Sequence, residues 1–527
     1  MTTAHSPGRY RNPVLPGCHP DPSICRVGDT FYLVTSSFEY LPGLPIHRST
    51  NLVDWQPVGH AIHRPEQLDL RGIASSKGLY APTIRYHGGL FHVTCTVVAP
   101  PGWAGRTGHF LVTAEDPAGP WSEPVWFDGM PGIDPSLTFD GDRVWLCGNR
   151  VAEPGRWPGQ TDIWLVELDP ASFAPIGPTH WIWHGALEDA GYAEGPHIIA
   201  HPDGGWMLVA AEGGTNRDHS VCVAYADEIT GPYRGDPGNP RLTHRDLGDR
   251  AAIADVGHAD LVEDAAGRWW ATVLGVQTIG GGNGLLGRQT HLVPMEWERG
   301  SPLFAPGTGR VEPLMEAAGV PDQAARPAEV RDGFDTPQLD LAWNGVGRFP
   351  DEFAAVGRVR QTGAGESSGG ESRGPGAGAG AGVRLAASID EPTGAQPAFL
   401  GRRLPDHRVH IAARMSLDGD VRGGLLLRTS ESAVLEVSVD AEGAARVALS
   451  GRTVATAKGL PTQECEIVLD VDGLRAAVRV GAVDLGEVDV SALATGGTSM
   501  FVGTWTGPFA VGRGHVDVAE VVLRTRG

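Results

Sequence analysis

HPDPSI (His19–Ile24) and GIDPSLTF (Gly132–Phe139) share an Asp-Pro-Ser triplet that runs directly into a segment of β-branched or aromatic residues. Three more stretches put a polar or proline anchor ahead of such a segment: YAPTIRY (Tyr80–Tyr86), YAEGPHII (Tyr192–Ile199) and GHADLVE (Gly257–Glu263). The anchors Asp21, Pro82, Asp134, Glu194 and His258 are separated by 61, 52, 60 and 64 residues. That period is too long for a bare hairpin and suits a four-stranded sheet, the repeating unit of a propeller. Corresponding strand starts in a propeller converge on the axis, so residues distant in sequence can share one pocket. Three of the five anchors are carboxylates, which points to an enzyme.

Working outward, each anchor leads through a short strand to a turn and a second strand. The second strands are Thr30–Thr35, Leu90–Val98, Val144–Cys147, Trp206–Ala210 and Trp269–Leu274, preceded by VGD, YHGG, FDGD, HPDGG and EDAAG. Further strands such as Phe110–Thr113 and Ile163–Glu167 lie between these hairpins. EDPAGPW (Glu115–Trp121) and DEITGPY (Asp227–Tyr233) resemble each other and mark one blade position seen twice. The repeat fades after His291–Gly300. The reading is therefore an all-β chain: a five-bladed β-propeller over 1–314, a linker over 315–331, and a β-sandwich over 332–527. The sandwich rests on alternating strands at Arg408–Met415, Gly423–Arg428, Ala433–Val439 and Glu466–Asp470. Inside it, Gly363–Gly382 has almost nothing to bury and reads as a disordered surface loop.

Composition agrees. At 527 residues two domains are expected, and 74 glycines with 41 prolines favour short strands and tight turns over long helices. Sixty-three acidic against 42 basic side chains leave a formal net charge of -21, which argues against nucleic acid and anionic membranes as partners. The opening MTTAHSPGRY has no apolar stretch, and no later segment has the length to span a bilayer. The six cysteines (18, 25, 95, 147, 222, 465) show no metal-ligand spacing and read as reduced core residues of a cytoplasmic protein.

Cleaving a glycosidic bond needs one group to protonate the departing oxygen and a carboxylate on the other side of the sugar. Where the second carboxylate activates water, the two stand about 6.5–9.5 Å apart. Asp21, stiffened by a proline on either side, is either the base that holds such a water or an Asx-type turn. Glu194, in Ala-Glu-Gly-Pro-His where the glycine permits close approach and the proline stiffens the exit, is either the proton donor or an ordinary surface glutamate. Asp134 is either a strand cap or a third carboxylate that raises the pKa of Glu194 by like-charge repulsion. His258 is either structural or holds a water or hydrated cation beneath the sugar. Arg288 either pairs with Asp21 or sits in a surface turn.

With these motifs in view, the chain resembles glycoside hydrolase family 43, the five-bladed enzymes that include β-xylosidases and α-L-arabinofuranosidases. The likeness is to members with a C-terminal concanavalin-like β-sandwich. It runs from NPVLPGCHPDPSICRVGDTFYLVTSS at Asn12 through GLYAPTIRY, GIDPSLTF, EGPHII, ITGPY and GHADLVE to GPFAVG near the end. The resemblance implies Asp21 as general base, Asp134 as pKa modulator, Glu194 as general acid, His258 at the propeller centre and Arg288 beside the base. It implies Phe38 and Tyr80 at the sugar subsite, with Trp505, in GTWTG (Gly503–Gly507), as the aromatic lent by the second domain where phenylalanine is more usual. It also implies inversion by a single displacement. The expected substrates are xylo- or arabino-oligosaccharides, with release of terminal β-D-xylose first and α-L-arabinofuranose as the alternative. A non-catalytic carbohydrate-binding propeller is a remote third reading. No cofactor is needed for the chemistry. A structural Ca2+ held mostly through water by His258 is compatible with it, as is a homo-oligomer. His19 and Gln289 depart from the family's usual residues beside the base.

Overall fold

The computed structural model describes residues 7–186, 189–361, 378–495 and 501–526. Two compact units emerge from the contacts: Met1–Asn283, Gly287–Ala325 and Gly496–Phe501 in the first, and Gly284–Leu286, Arg326–Thr495 and Val502–Gly527 in the second.

The first unit is a five-bladed β-propeller. Its innermost strands are Ser23–Val27, Thr83–His87, Ile133–Asp140, Glu194–Ala200 and Ile253–Glu263, and each pairs antiparallel with the strand that follows it. The second strands are Thr30–Val34, Leu90–Val98, Arg143–Val151, Trp206–Glu212 and Trp269–Ile279, a residue or more longer than the sequence pattern in most blades. The two GPW/GPY turns occupy the same place, between the third and outermost strands of the second and fourth blades. Trp121 and Tyr233 from those turns are buried. A two-stranded ribbon of Gly8–Arg11 with Leu314–Ala317 ties the two ends of this unit together. Apolar residues of the second and third strands pack between blades, for example Trp145, Ile163, Leu165, Leu208 and Ala224 in one cluster. All six cysteines are free and buried in the two units.

The second unit is built on one thirteen-stranded network. The strands expected separately at Arg408–Met415 and Gly423–Arg428 are one strand, Arg408–Ser430, paired along its length with Trp505–Thr525. The polar stretch between them stays in register because Gly419 (φ 98°) faces Gly514 (φ 140°), and a Cβ on Gly419 would meet the Arg513 carbonyl oxygen at 2.6 Å. The segment read as a linker is partly strand: Leu314–Ala317 belongs to the ribbon and Glu329–Asp332 pairs with the last strand. Of the glycine-rich stretch, 363–377 lies outside the described residues. Its last five residues, by contrast, fall in the strand Gly378–Ala386. Backbone pairing needs no side chains there, and the strand is anchored by fully buried Val383 and Leu385. Among the described residues no helix is long and apolar enough to cross a membrane.

Candidate active site

Asp21 stands just ahead of the first inner strand with φ +53°, an unusual conformation for a residue with a side chain. Its carboxylate is gripped from two sides. Ser36 Oγ donates to Oδ2 at 2.6 Å, and Arg288 forks onto it with Nη1 to Oδ1 at 3.0 Å and Nη2 to Oδ2 at 3.4 Å. Arg288 comes from the fifth blade, on Gly282–Glu298. Its guanidinium lies between two rings, 5.4 Å from the centre of Phe38 and 4.9 Å from that of Phe501, and Nε donates to the Phe501 carbonyl at 3.2 Å.

Asp134, Glu194 and His258 share a local device. In each of their blades the inner ladder skips at the functional residue: between Ile133 and Ser136, between Glu194 and His197, and on both sides of Gly257. Such bulges re-aim a side chain out of the regular pleat. Asp134 (φ +58°) and His258 (φ +46°) take the left-handed conformation themselves, whereas beside Glu194 it falls to Gly195 (φ +57°). Glycine is required there by its left-handed backbone and by the lack of space for a side chain. A Cβ there would sit 2.8 Å from Cε1 of the His258 ring, and its N–H donates to Asp134 Oδ2 at 3.0 Å. With its amide oriented to satisfy both neighbours, Asn149 also donates to Asp134 Oδ2 and to the Ile133 carbonyl, each at 3.2 Å.

The electrostatics separate the acids. Burial, then the negative charges of Asp134 and Asp21, push the Glu194 carboxyl up to about 8, against the pull of Arg288. Burial and the charge of Asp21 lift Asp134 to about 6, opposed by His258, by the Gly195 N–H and by Arg288. Among the described residues Glu194 makes no ion pair, while Asp21 has Arg288. His258 Nδ1 lies 3.9 Å from Asp21 Oδ1, so the histidine faces both Asp21 on the first blade and the glycine after Glu194 on the fourth.

Phe38, Tyr80 and Phe501 form an aromatic group around Arg288. Ring centres are 5.2 Å apart for Phe38–Tyr80, 6.1 Å for Phe38–Phe501 and 5.9 Å for Tyr80–Phe501. Ser76 holds two of them, its carbonyl accepting from Tyr80 Oη at 2.9 Å and its Oγ accepting from Phe501 N at 3.0 Å. Seven of the sequence-derived residues thus lie in the propeller unit around Asp21. The eighth, Trp505, belongs to the second unit, where it opens the long last strand, 1% exposed, with the Arg403 guanidinium 4.5 Å over its ring. Phe501, four residues earlier, is the ring that joins Phe38 beside Arg288.

Sequence reasoning also passed over Ser36 and Asn149. Gln289, which departs from the family's usual residue, is fully buried and donates to Gln277 Oε1 at 3.2 Å. His19 is buried, with its ring edge-on to His47 at 5.1 Å. No three His, Cys, Asp or Glu side chains among the described residues are grouped to hold a metal ion.

Comparison with known proteins places this geometry in context. The family model described as "Glycosyl hydrolases family 43" matches residues 10–302. A xylosidase/arabinosidase of Butyrivibrio fibrisolvens is 36% identical over 80% of this chain and 78% of its own. The non-reducing end alpha-L-arabinofuranosidase BoGH43B of Bacteroides ovatus is 33% identical over 96% of this chain and 92% of its own. Among solved structures, a xylan beta-1,4-xylosidase from Bacillus halodurans superposes with a TM-score of 0.83 at 26% identity, covering 98% of this chain and all of that one.

Proposed function

The chain belongs to glycosyl hydrolase family 43, and from that premise we propose that it is an inverting, exo-acting glycosidase that releases terminal β-D-xylosyl residues from xylo-oligosaccharides. The observation that carries the reading is the unequal environment of two carboxyl groups: Asp21 paired with Arg288, Glu194 unpaired and shifted up to about 8. The carboxylate of Asp21 takes a proton from a water that attacks the anomeric carbon. Glu194 gives its proton to the glycosidic oxygen as that C–O bond breaks, and the sugar leaves with inverted configuration. Asp134 acts through Glu194, keeping the acid protonated near neutral pH. The apolar face of the terminal sugar stacks in the group of Phe38, Tyr80 and Phe501, and Arg288 holds both the base and two of those rings. The second unit, in this reading, is a β-sandwich of the concanavalin-like type.

A structural Ca2+ fits the donor set only weakly. Among the described residues no three His, Cys, Asp or Glu side chains group to hold an ion at His258, Asp21 is already paired with Arg288, and Arg85 pairs with Asp260. An ion beneath His258 would be held through water, and no step runs through it.

The second reading, release of α-L-arabinofuranose, is favoured by the Bacteroides ovatus relative, which matches nearly end to end. Side-by-side rates on the 4-nitrophenyl β-D-xylopyranoside and α-L-arabinofuranoside separate the two, with the anomer first formed followed by NMR. Faster xyloside turnover yielding α-xylose is expected. A faster arabinofuranoside moves the assignment to the second reading, and a retained anomer rejects the single displacement.

A further inference from the structure

One layer below the anchors, the five inner strands each send one polar side chain to the same point: Ser23, Arg85, Ser136, His197 and Asp260. The contacts close into a single cluster. Arg85 Nη1 and Nη2 reach the two oxygens of Asp260 at 2.8 and 3.2 Å, and Ser23 Oγ donates to Asp260 Oδ2 at 2.7 Å. The backbone N–H groups of Ile24 and Leu261 add two more donors to the same carboxylate, and Ile84 N–H donates to Ser23 Oγ at 3.0 Å. Arg85 Nη2 also lies 3.0 Å from His197 Nδ1, and Ser136 Oγ lies 3.2 Å from that nitrogen. A guanidinium can only donate, so His197 Nδ1 is the acceptor and the ring's hydrogen is on Nε2. Burial would raise the carboxyl of Asp260, yet the charge of Arg85 and its hydrogen bonds hold it down at about 2. Burial lowers His197 to about 3, so the ring is neutral.

The placement along each strand matters more than the charge. Ser136 and His197 are the residues at which regular pairing resumes after the bulges of Asp134 and Glu194. Asp260 follows the bulge of His258 by two residues, and Ser23 follows Asp21 by two. A bulged, left-handed segment is held only if the chain on its inner side is fixed. We infer that this five-strand polar cluster is a positioning device for the reaction: it locks the inner strands against one another at the axis and, through Ser136 and His197 on the strands of Asp134 and Glu194, sets where the acid on the fourth blade stands. Its members act through Asp134 and Glu194, so the inference rests on the roles proposed for those groups.

The test uses aryl and alkyl glycosides of the sugar the wild-type protein hydrolyses, because only a poor alkyl leaving group needs the acid. Glu194→Ala supplies the reference, losing alkyl-glycoside turnover far more than turnover of a 2,4-dinitrophenyl glycoside. His197→Leu removes the acceptor for Arg85 and Ser136. It is expected to lower kcat on the alkyl glycoside by about 10²-fold, with KM changed less than about threefold and the dinitrophenyl glycoside largely spared. His197→Asn, whose Oδ1 can stand where Nδ1 stood, restores most of the loss. Ser136→Ala, a milder change, reports the same selectivity if the leucine variant does not fold. Equal losses on both substrates, or losses that follow thermal stability and are not rescued by asparagine, overturn the inference alone. A Glu194→Ala variant without leaving-group selectivity overturns the acid assignment, and the inference with it.

Discussion

The inner strands of the propeller and the long strands of the second unit obey the same alternation, yet they use it in opposite ways. The pair Arg408–Ser430 and Trp505–Thr525 runs in near-continuous register with one shift, and one face of it carries Ile411, Leu425, Leu427 and Val516, all fully buried. The inner strands Ile133–Asp140, Glu194–Ala200 and Ile253–Glu263 skip register at Asp134, Glu194 and His258, and two of those residues have positive φ. A regular ladder contributes stability. A bulge with a left-handed residue sacrifices some, on the order of 1–3 kcal/mol for each strained residue, to aim a side chain where the pleat would not. Three of the candidate catalytic-site residues stand where the inner ladder is broken.

The largest effect that tests this contrast belongs to the broken strands. Asp21→Asn keeps the shape of the side chain and an acceptor for Ser36 or Arg288, but not the basicity. Its kcat is expected to fall by roughly 10³–10⁴-fold, at the upper end of what a positioned base contributes, with circular dichroism and thermal midpoint near wild type. A loss below about tenfold would remove Asp21 from the reaction.

The next largest effect divides two aromatic residues only four positions apart. Trp505→Ala opens a cavity in the second unit and is expected to cost about 3–5 kcal/mol in chemical denaturation, with kcat and KM of the remaining folded protein unchanged. Phe501→Ala leaves stability closer to wild type but removes one ring from the group around Arg288. About a tenfold rise in KM for the terminal sugar is expected. If the two phenotypes are exchanged, Trp505 is the ring that meets the sugar after all.

That exchange marks the boundary of what the sequence makes legible. The five anchors can be read because a propeller repeats at a nearly constant interval, and because bulge chemistry is local: Pro22 after Asp21, Pro135 after Asp134, Gly195 after Glu194. Arg288 can be read from its motif. Phe501 cannot, because its contact to Arg288 spans 213 residues and nothing in SMFVG distinguishes it from a core phenylalanine. Asn149 looks like any residue of an apolar strand in LCGNR, and only the fold brings it to Asp134. The axial cluster is hidden for another reason. Its members sit two residues beyond the anchor in three blades and three beyond it in the other two, so no fixed offset exposes them. In the second unit, the acidic residues Asp418 and Asp420 make one strand look like two, since polarity alone does not reveal that the backbone pairing continues through them.

The smallest expected effect is also the most direct measure of what the broken strands give up. Glu194 keeps its proton in the folded protein to about pH 8, whereas in the unfolded chain it loses it near its ordinary value of 4.5. Between those values the native state binds more protons than the unfolded one, so its stability declines as pH rises through that window. Glu194→Gln removes the titration while preserving the shape of a neutral side chain. The variant should be indistinguishable from wild type in thermal midpoint at about pH 4 and more stable than wild type at pH 8. The same substitution abolishes the proton donor, so gain in stability and loss of alkyl-glycoside turnover arise together from one atom exchange. A variant no more stable at pH 8 than at pH 4, relative to wild type, would mean that the buried acid is relieved by its surroundings, and that its elevated pKa is not what the bulged strand was bent to provide.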